Sequence, residues 1–268
     1  MGQKDGKLPD GFIDTQMVDM LLERLSDVTR QFSDILVIGG RVPQLATQLR
    51  AHGARITIVE ANADLAGEHG AVHGDEDQLP VEPQSYDLII WPGGLESVND
   101  VPGALLRCRF ALKPDGLLIG CFVGDGSLPA LRNALRVAEN ERPVARMSPQ
   151  IEVRAIGDLL TRAGFALAVA DTERLPLAYP SLDALITDLR AAALTNMLSG
   201  ERPLLTRAAW SRACATFASE QNAAGRVVEM LRIVHFSGWA PHPDQPKAAK
   251  RGSATASLTA ALRPSTKT

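Results

Sequence analysis

Two short apolar runs on either side of an amphipathic segment are the feature that most limits how this chain can fold. The first run, 34–38, ends at Gly39, and residues 42–52 then repeat leucine at helical spacing. The second run, 55–60, ends on the acidic Glu60. Strand, glycine turn, helix, strand and acid in this order are typical of the dinucleotide-type half-fold, in which the acid binds ribose hydroxyls. We therefore expect a cofactor-binding α/β domain.

The alternation of apolar runs with amphipathic segments continues along the chain. Further strands are predicted at 71–73, 86–91, 117–123, 166–171 and 227–236. Helices are predicted at 13–32, 42–52, 101–112, 128–139, 156–163, 181–198 and 207–222. Strands that alternate with helices predict an α/β fold with a doubly wound, mostly parallel sheet of seven strands and right-handed crossovers.

The predicted elements divide the chain into three parts. Residues 1–32 contain a leading helix that packs on the main domain, residues 33–240. Within this domain, a helical insertion at 176–222 breaks the alternation before the last strand. Residues 241–268 carry five basic side chains and one acidic one, a balance of +4, so the preceding 240 residues sum to −7. This basic tail, rich in Pro, Ala, Ser and Lys, is expected to be partly disordered.

Composition limits the classes of function. The net charge of −3 argues against general nucleic-acid binding, for which a basic domain is expected. The basic tail either is a solvated end or makes a peripheral contact with an acidic partner or an anionic lipid surface. Three cysteines without metal-site spacing are typical of buried thiols in a reducing compartment. The first residues lack an apolar signal core, and 117–123 is too short to cross a bilayer, so we expect a cytoplasmic chain with no integral membrane segment.

Candidate site residues follow from the geometry of a doubly wound sheet, in which ligands bind beyond the carboxyl ends of the strands. Four predicted segments meet there: the loop 39–43, the end of the second strand, the turn 74–79 and the loop 91–100. The candidate cofactor-binding residues in these segments are Gly39, Gly40, Arg41, Glu60, Ala61, Asp75, Glu76 and Trp91.

The loop after the first strand departs from a cofactor turn at three positions. Gly39 can adopt the positive φ that such a turn needs, which an ordinary strand-to-helix turn needs equally. Arg41 stands where a small residue would let a ligand approach the backbone, and it either fills the pocket, lies at the surface or recruits an anionic group. Pro43 removes one N–H donor from the helix N-terminus, and Val37 is apolar where an Asp often anchors such loops. These changes predict reduced cofactor affinity.

Acidic residues at strand ends are candidates for holding a nucleoside. Glu60 either accepts both ribose hydroxyls in charge-assisted hydrogen bonds or is a solvated acid. Asp75 and Glu76 lie in a turn beside which an adenine would sit, and the same residues suit a polar Asx turn. Asp87 and Asp100 are expected to be structural, at a strand start and a helix cap.

The polar residues form no recognisable catalytic constellation. The five histidines show no paired spacing of the kind that holds a metal, so no structural metal site is expected. The chain has neither a G-x-S-x-G nucleophile elbow nor a P-loop. Acid–base catalysis therefore cannot be assigned to particular residues.

Two stretches resemble a known family. Residues 74–91 contain Gly-Asp-Glu-x-x-Leu-Pro and then Tyr-Asp-Leu-Ile-Ile, and residues 110–118 contain Leu-Lys-Pro-Asp-Gly-Leu-Leu. They resemble the class I S-adenosylmethionine-dependent methyltransferases of type 11. The resemblance implies a Rossmann-like methyltransferase fold and S-adenosyl-L-methionine as cofactor. A methyl transfer to a good nucleophile needs no acid–base group, because positioning alone supplies much of the acceleration.

A narrower resemblance covers nearly the whole length. It rests on Arg30-Gln31-Phe32, Val98-Asn99-Asp100, Gly124-Asp125-Gly126-Ser127-Leu128, Ala138-Glu139, Ser148-Pro149, Gly238-Trp239, Pro246-Lys247 and Arg251-Gly252-Ser253-Ala254. These segments resemble the mitochondrial complex I assembly-factor methyltransferase family and its bacterial relatives. In that family the mitochondrial member is associated with hydroxylation of an arginine in a complex I subunit. The malonyl-carrier-protein methyltransferases of biotin synthesis share the central motifs but not the C-terminal signature.

The resemblance also assigns roles to individual residues. It implies that Gly39 is the first glycine of the cofactor loop, that Glu60 holds the ribose, and that Asp75 and Glu76 flank the adenine. The family's His-Trp before Val-Asn-Asp is Glu96-Ser97 in this chain.

Three functions follow from the family motifs and the departures from them. The leading hypothesis is a methyltransferase-like protein that keeps a weakened S-adenosylmethionine site and acts on a protein partner in respiratory complex I assembly. The second is a non-catalytic assembly or scaffold protein that has lost the cofactor. The third is a small-molecule or carrier-protein carboxyl methyltransferase of the biotin-synthesis type.

Overall fold

The structure, a computed structural model, describes residues 11–39, 43–50, 53–139, 144–200 and 203–245. Its helices are α1 (Phe12–Ser26), α2 (Pro43–Arg50), α3 (Ala63–His69), α4 (Val101–Ala111), α5 (Pro129–Ala138), α6 (Val153–Arg162), α7 (Leu182–Ala191) and α8 (Arg207–Ala218). Its strands are β1 (Asp34–Ile38), β2 (Arg55–Glu60), β3 (Val72–His73), β4 (Tyr86–Pro92), β5 (Leu112–Val123), β6 (Ala166–Tyr179) and β7 (Val227–Trp239). None of the helices in these ranges is long and apolar enough to span a membrane. The predicted basic tail lies outside the described residues from residue 246 onward.

The strands form one mixed sheet in the order β3-β2-β1-β4-β5-β7-β6. Neighbours from β3 to β5 are parallel, whereas β7 pairs antiparallel with both β5 and β6. The prediction of a doubly wound, mostly parallel sheet of seven strands is confirmed. The chain order reverses between β1 and β4, which opens a crevice at the carboxyl ends of these two strands.

Helices cover both faces of the sheet, so its central strands are apolar on both sides. Leu36 and Ile38 pack in the core formed with α4 and α6. Ile35 and Val37 pack in the opposite core, formed with α1, α2, α5, α7 and α8. Val37 is only 3% exposed, and an acid at this position would need a partner inside an apolar core. Valine at this position therefore suits the apolar core.

Strand β6 is longer than the predicted 166–171. It runs to Tyr179 and pairs with β7 along this added length. Because β6 is the edge strand, it tolerates the polar run 172–174 and the proline Pro176, which has no N–H for a ladder. Residues 176–179, which were predicted to belong to the helical insertion, therefore belong to the sheet, and the insertion begins after them.

The helix predicted over 181–198 also has a different end. Helix α7 stops at Ala191, and Ala193 then takes a φ of 49°. A left-handed residue at this position ends a helix. Residues 192–200 consequently form an irregular segment, which becomes part of the site.

Strand β5 begins before the predicted residue 117, and residues 113–116 lie inside it as a bulge. Tyr86 pairs with Leu112 and Leu88 pairs with Leu117, so the residues between them loop out of the ladder. Asp115 has a φ of 62° at the tip of the bulge. The strand therefore begins before the Pro-Asp-Gly sequence rather than after it.

Candidate functional site

A cavity of about 500 Å³ opens at the carboxyl ends of β1, β2 and β4. This volume lies within the range of ligand pockets, roughly 300–1,000 Å³. Its walls come from the turns after β1 and β2, residues 75–77, the loop 92–99, and residues 193 and 197 of the segment after α7. The predicted site residues in the wall are Gly39, Glu60, Ala61, Asp75 and Glu76.

Glu60 is the buried acid of this cavity. It is the last residue of β2 and is 7% exposed. The N–H of Asn62 donates to its Oε1 at 3.0 Å. Asn62 in turn caps α3, because its Oδ1 accepts hydrogen bonds from the N–H groups of Asp64 and Leu65. The cap fixes the turn after β2 and so holds the Glu60 carboxylate at the cavity wall.

Gly39 makes the turn that leads out of β1. Its φ is 86°, as its sequence position predicts, and its N–H donates to the carbonyl of Val59 at 2.8 Å. An added Cβ would meet no atom of the described residues within 4 Å. The left-handed backbone conformation therefore favours glycine here. The predicted neighbours Gly40 and Arg41 lie outside the described residues.

The acidic turn after β3 is organised by Asp77, which the sequence reasoning missed. Asp75 caps the short helix 76–78 by accepting the N–H of Asp77 at 2.8 Å. Asp77 accepts the N–H groups of Asn99 and Asp100 and the side-chain amide of Asn99, at 3.1, 2.8 and 2.9 Å. Burial opposes the ionisation of Asp77, but these hydrogen bonds outweigh it and lower its pKa. Asp77 thus joins two walls of the cavity, and Asp75 is both an Asx cap and a wall residue.

Trp91 lies in the core, which corrects its assignment to the site. It is fully buried among the side chains that β4 shares with α4 and α6. Successive residues of a strand face opposite sides, and Trp91 faces a covered side. The cavity wall begins one residue later and is made by Pro92, Gly93 and Gly94. Both glycines have positive φ, at 105° and 89°.

Asp87 and Asp100 have the structural roles predicted for them. The carboxylate of Asp87 accepts the N–H groups of Ser33 and Asp34, which ties the start of β1 to the start of β4. Asp100 caps α4 by accepting the N–H of Gly103 at 3.0 Å.

A smaller cavity of about 190 Å³ adjoins the larger one. The residues shared by the two linings are Gly94, Ser97, Ala193 and Met197. Aliphatic side chains make much of its remaining wall: Val123, Leu128, Leu131, Leu135, Ile186 and Leu189. Among the described lining residues, the charged side chains are Glu96 and Arg146. The two cavities therefore lie side by side.

Two segments form a roof: 145–148, before α6, contributes to the lining of the smaller cavity, and 193–198, after α7, contributes to the lining of both. The N–H of Met197 donates to Ser148 Oγ at 2.9 Å, and the side-chain amide of Asn196 donates to the carbonyl of Ala145 at 2.7 Å. The Ser148 hydroxyl also donates to Asn196 Oδ1 at 3.4 Å. The sequence reasoning missed the second segment because it predicted a continuous helix there.

The profile of the methyltransferase-domain family matches residues 12–169, more than half of the chain. The chain belongs to the class I S-adenosylmethionine-dependent methyltransferases. The predicted resemblance to this family is confirmed, and so is the Rossmann-like fold.

Relatives of this methyltransferase-family chain share most of its length. The mitochondrial arginine-hydroxylase NDUFAF5 of Danio rerio is 35% identical over 250 residues, which cover 88% of this chain and 77% of the relative. The Mus musculus protein of the same name is 35% identical over 264 residues, 92% of this chain and 76% of the relative. A malonyl-[acyl-carrier protein] O-methyltransferase of Xylella fastidiosa is 32% identical over 171 residues, 63% of this chain and 57% of the relative.

Solved structures share the fold at low sequence identity. The YcgJ protein of Bacillus subtilis superposes with a TM-score of 0.58 at 14% identity, over 85% of this chain and 99% of that one. The phosphoethanolamine N-methyltransferase 2 of Haemonchus contortus, in complex with S-adenosyl-L-methionine, gives 0.51 at 15% identity, over 85% and 53%. At these identities the likeness concerns the fold alone.

The larger cavity of this methyltransferase fold fits S-adenosyl-L-methionine chemically. The ribose hydroxyls are donors, and the buried Glu60 carboxylate presents acceptor oxygens at the wall. The exocyclic amine of adenine is another donor, which the carboxylates of Asp75 or Glu76 suit. The charged side chains among the described lining residues are all acidic. This wall complements a cofactor that carries a sulfonium and an ammonium group.

The thiols are not suited to nucleophilic catalysis. Cys108 and Cys121 are buried and Cys214 is partly buried. Burial raises the pKa of the Cys108 thiol to about 12, and burial together with the negative charge of Glu96 raises the pKa of Cys121. Because the thiolate is the nucleophilic form, these residues serve packing. No three His, Cys, Asp or Glu side chains in the described ranges are grouped to hold a metal ion.

Proposed function

We propose that this chain binds S-adenosyl-L-methionine in the larger cavity and modifies an arginine side chain of a protein partner. The observation that carries the proposal is the buried Glu60 carboxylate at the wall of a cavity with acidic charge. The two relatives named arginine hydroxylases match about nine-tenths of the chain and support an arginine acceptor. The resemblance to the complex I assembly-factor family supports a partner in that assembly.

The two adjoining cavities support a division of labour. S-adenosyl-L-methionine supplies an electrophilic methyl group when it is bound. Glu60 would orient its ribose, Asp75 and Glu76 its adenine, and the smaller cavity would hold the acceptor side chain against it. The roof of 145–148 and 193–198 would exclude water from the junction. Positioning of this kind supplies much of the acceleration in a transfer between two bound groups.

Isothermal titration calorimetry of the full chain with S-adenosyl-L-methionine and S-adenosyl-L-homocysteine tests the cofactor half of the proposal. We expect saturable heat for both ligands, with a dissociation constant between micromolar and millimolar because the loop is altered. The absence of heat at millimolar ligand would contradict the proposal that the chain binds the cofactor. For the acceptor half, mass spectrometry of proteins that co-purify with the chain distinguishes an arginine that gained a methyl group from one that gained an oxygen atom.

Pro43 favours a second candidate, a non-catalytic assembly or scaffold protein that has lost the cofactor. It is the first residue of α2 and has no N–H to offer an anionic group at that helix end. The double variant Arg41→Gly and Pro43→Gly discriminates the two functions. The scaffold hypothesis expects cofactor binding only in the variant. If the wild type binds as tightly as the variant, the scaffold hypothesis loses its main support.

A third candidate is carboxyl methylation of a carrier protein or small molecule. It is supported by the malonyl-carrier-protein methyltransferase of Xylella fastidiosa, although that match covers 63% of the chain. Growth of a biotin-requiring strain that lacks this methyltransferase, after the chain is expressed in it, would support this candidate. Failure to grow with the soluble protein present would exclude it.

A further inference from the structure

Glu96 stands at the point where the two cavities meet. It lies in the short helix Leu95–Ser97 that follows β4, and its side chain lines the smaller cavity. Its neighbours Gly94 and Ser97 line both cavities. The backbone around it is held by the left-handed Gly94 and by the Ser97 hydroxyl, which donates to the carbonyl of Gly94 at 2.6 Å. The turn therefore places Glu96 in the wall of the smaller cavity, between two residues that line both cavities.

The negative charge of Glu96 influences a buried group in the interior of the protein. Glu96 is only partly exposed, and its negative charge contributes, after burial, to the raised pKa of the buried Cys121 thiol. A carboxylate in such a site interacts with a nearby cation more strongly than a surface carboxylate does, because less water screens it.

Arg146, the other charged side chain of the smaller cavity, forms an ion pair with Glu139. Its Nε donates to Glu139 Oε1 at 2.6 Å, and the two side chains are 15% and 8% exposed. This ion pair neutralises Arg146, and Glu139 is not part of the lining. The smaller cavity thus presents an aliphatic wall with one acidic end.

The volume of the smaller cavity limits what it can hold. At about 190 Å³ it is below the roughly 300–1,000 Å³ of ordinary ligand pockets, which suits a single amino-acid side chain. A side chain with an aliphatic stem and a cationic head would bury the stem against Leu131, Leu135 and Ile186, and would bring the head to Glu96.

We infer that Glu96 binds the cationic head of the acceptor side chain and thereby determines the specificity of the smaller cavity. The inference rests on the proposed function and deepens it, since it names the residue that selects a charged arginine. A carboxylate and a guanidinium form charge-assisted, often bidentate hydrogen bonds. A neutral side chain of the same shape would leave the Glu96 carboxylate with a poorer partner.

The test compares the N-acetyl, N-methylamide derivatives of arginine and citrulline, which differ in charge but hardly in shape. Each is titrated into full-length protein with methyl-labelled methionine, in the presence of S-adenosyl-L-homocysteine. The Met147 methyl lines only the smaller cavity, the Met197 methyl lines both, and Met230 lies in β7 as an internal reference. We expect shifts at Met147 and Met197, and about tenfold tighter binding of the arginine probe.

Glu96→Gln should reduce this discrimination to less than about twofold. Glu82→Gln is the matched control, because it removes the same charge from an exposed residue before β4, at the opposite end of the sheet. It should keep the full preference for arginine. If Glu96→Gln also keeps it, or if the wild type binds both probes equally or neither, the inference is wrong.

Two further readouts keep the test decisive. Should Glu96→Gln fail to fold, the salt dependence of the wild type replaces it: high salt should weaken the arginine probe and leave the citrulline probe unchanged. Equal effects of salt on both probes would overturn the inference. The calorimetric titration with S-adenosyl-L-homocysteine is evaluated separately. A chain that binds this ligand but does not discriminate between the probes fails this inference alone, whereas a chain that does not bind it fails the proposed function.

Discussion

Glu60 and Asp77 illustrate two different uses of an acid at a strand end. Glu60 was predicted from its position after an apolar strand, and the structure places it in the cavity wall. Asp77 has no such signal, because its partners Asn99 and Asp100 are distant in sequence. The role of an acid that caps a neighbouring backbone N–H can be predicted from local spacing in the sequence. The role of an acid that joins two distant loops cannot.

Replacement of Glu60 by Ala should weaken S-adenosyl-L-homocysteine binding by about tenfold or more, because charge-assisted hydrogen bonds to the ribose are lost. Calorimetry measures the affinity. Glu68→Ala, on the exposed side of α3, is the matched control and should leave it unchanged. An unaltered affinity in Glu60→Ala would remove Glu60 from the site.

At the scale of elements, helix α5 depends on a residue of another element. Leu128 precedes the helix in a left-handed conformation and supplies no side-chain cap. Glu229 of β7 takes over this role, since its carboxylate accepts the N–H groups of Ala130 and Leu131 at 3.3 and 2.5 Å. Glu229 is fully buried, and burial raises its pKa against the opposing effect of these hydrogen bonds. The helix that walls the smaller cavity is therefore anchored to the sheet.

Glu229→Ala should lower the free energy of unfolding by about 1–3 kcal/mol, because it leaves two buried N–H groups without their acceptor. Urea denaturation gives the value. Glu229→Gln keeps an acceptor oxygen and should cost less. Equal losses in the two variants would show that the charge or the second acceptor oxygen, which both variants lack, accounts for the effect and that the packing of the side chain contributes little.

The roof over the cavities supports a prediction about ligand exchange. Ser148→Ala removes the acceptor of the Met197 N–H, and we expect S-adenosyl-L-homocysteine to dissociate about two- to tenfold faster. Stopped-flow displacement measures the rate. Ser219→Ala, at the exposed end of α8, removes a comparable local hydrogen bond and is the control. Identical rates in all three proteins would mean that the roof does not retain the ligand.

At the scale of the whole molecule, a polar cluster joins α1 to the antiparallel end of the sheet. Arg24 of α1 binds the Asp171 carboxylate of β6 through two hydrogen bonds of 2.8 and 2.7 Å. His235 of β7 is 2% exposed, with its Nε2 3.6 Å from Glu173 Oε2. Burial, and then the positive charge of Arg24, lower the pKa of His235 to about 4.

This shift predicts a pH dependence of stability. Between the unfolded pKa of 6.5 and the folded value of about 4, the unfolded chain binds the extra proton, so stability is fully present above pH 6.5 and is lost as pH falls. The loss attributable to His235 should reach about 2 kcal/mol between pH 7.5 and pH 5. Urea denaturation of His235→Leu should show a correspondingly smaller fall over this range. The variant His242→Leu, at a partly exposed histidine outside this cluster, should behave like the wild type. A profile for His235→Leu that runs parallel to that of the wild type would refute the assignment.

The strands of the sheet were largely predictable from the sequence, and the errors concern the length of β6 and the end of α7. Buried strands such as β1 and β4 can be recognised in the sequence as apolar runs. The edge strand β6 does not, because half of its surroundings is solvent and its second half carries charges and Pro176. The end of α7 could not be predicted from the sequence either. Ala193 adopts a left-handed conformation there, and alanine is not a residue type that indicates such a conformation.

Local sequence determined the elements, the glycine turn at Gly39 and the acid at the end of β2, because strand periodicity, backbone freedom and strand-end position act within a few residues. Tertiary structure decided that Trp91 belongs to the core and that Asp77 and Ser148 hold the walls and roof of the site. It also decided that Glu96 lines the smaller cavity, beside residues shared with the larger one. These roles depend on contacts between segments far apart in the chain, and no local pattern specifies which distant segment will be the neighbour.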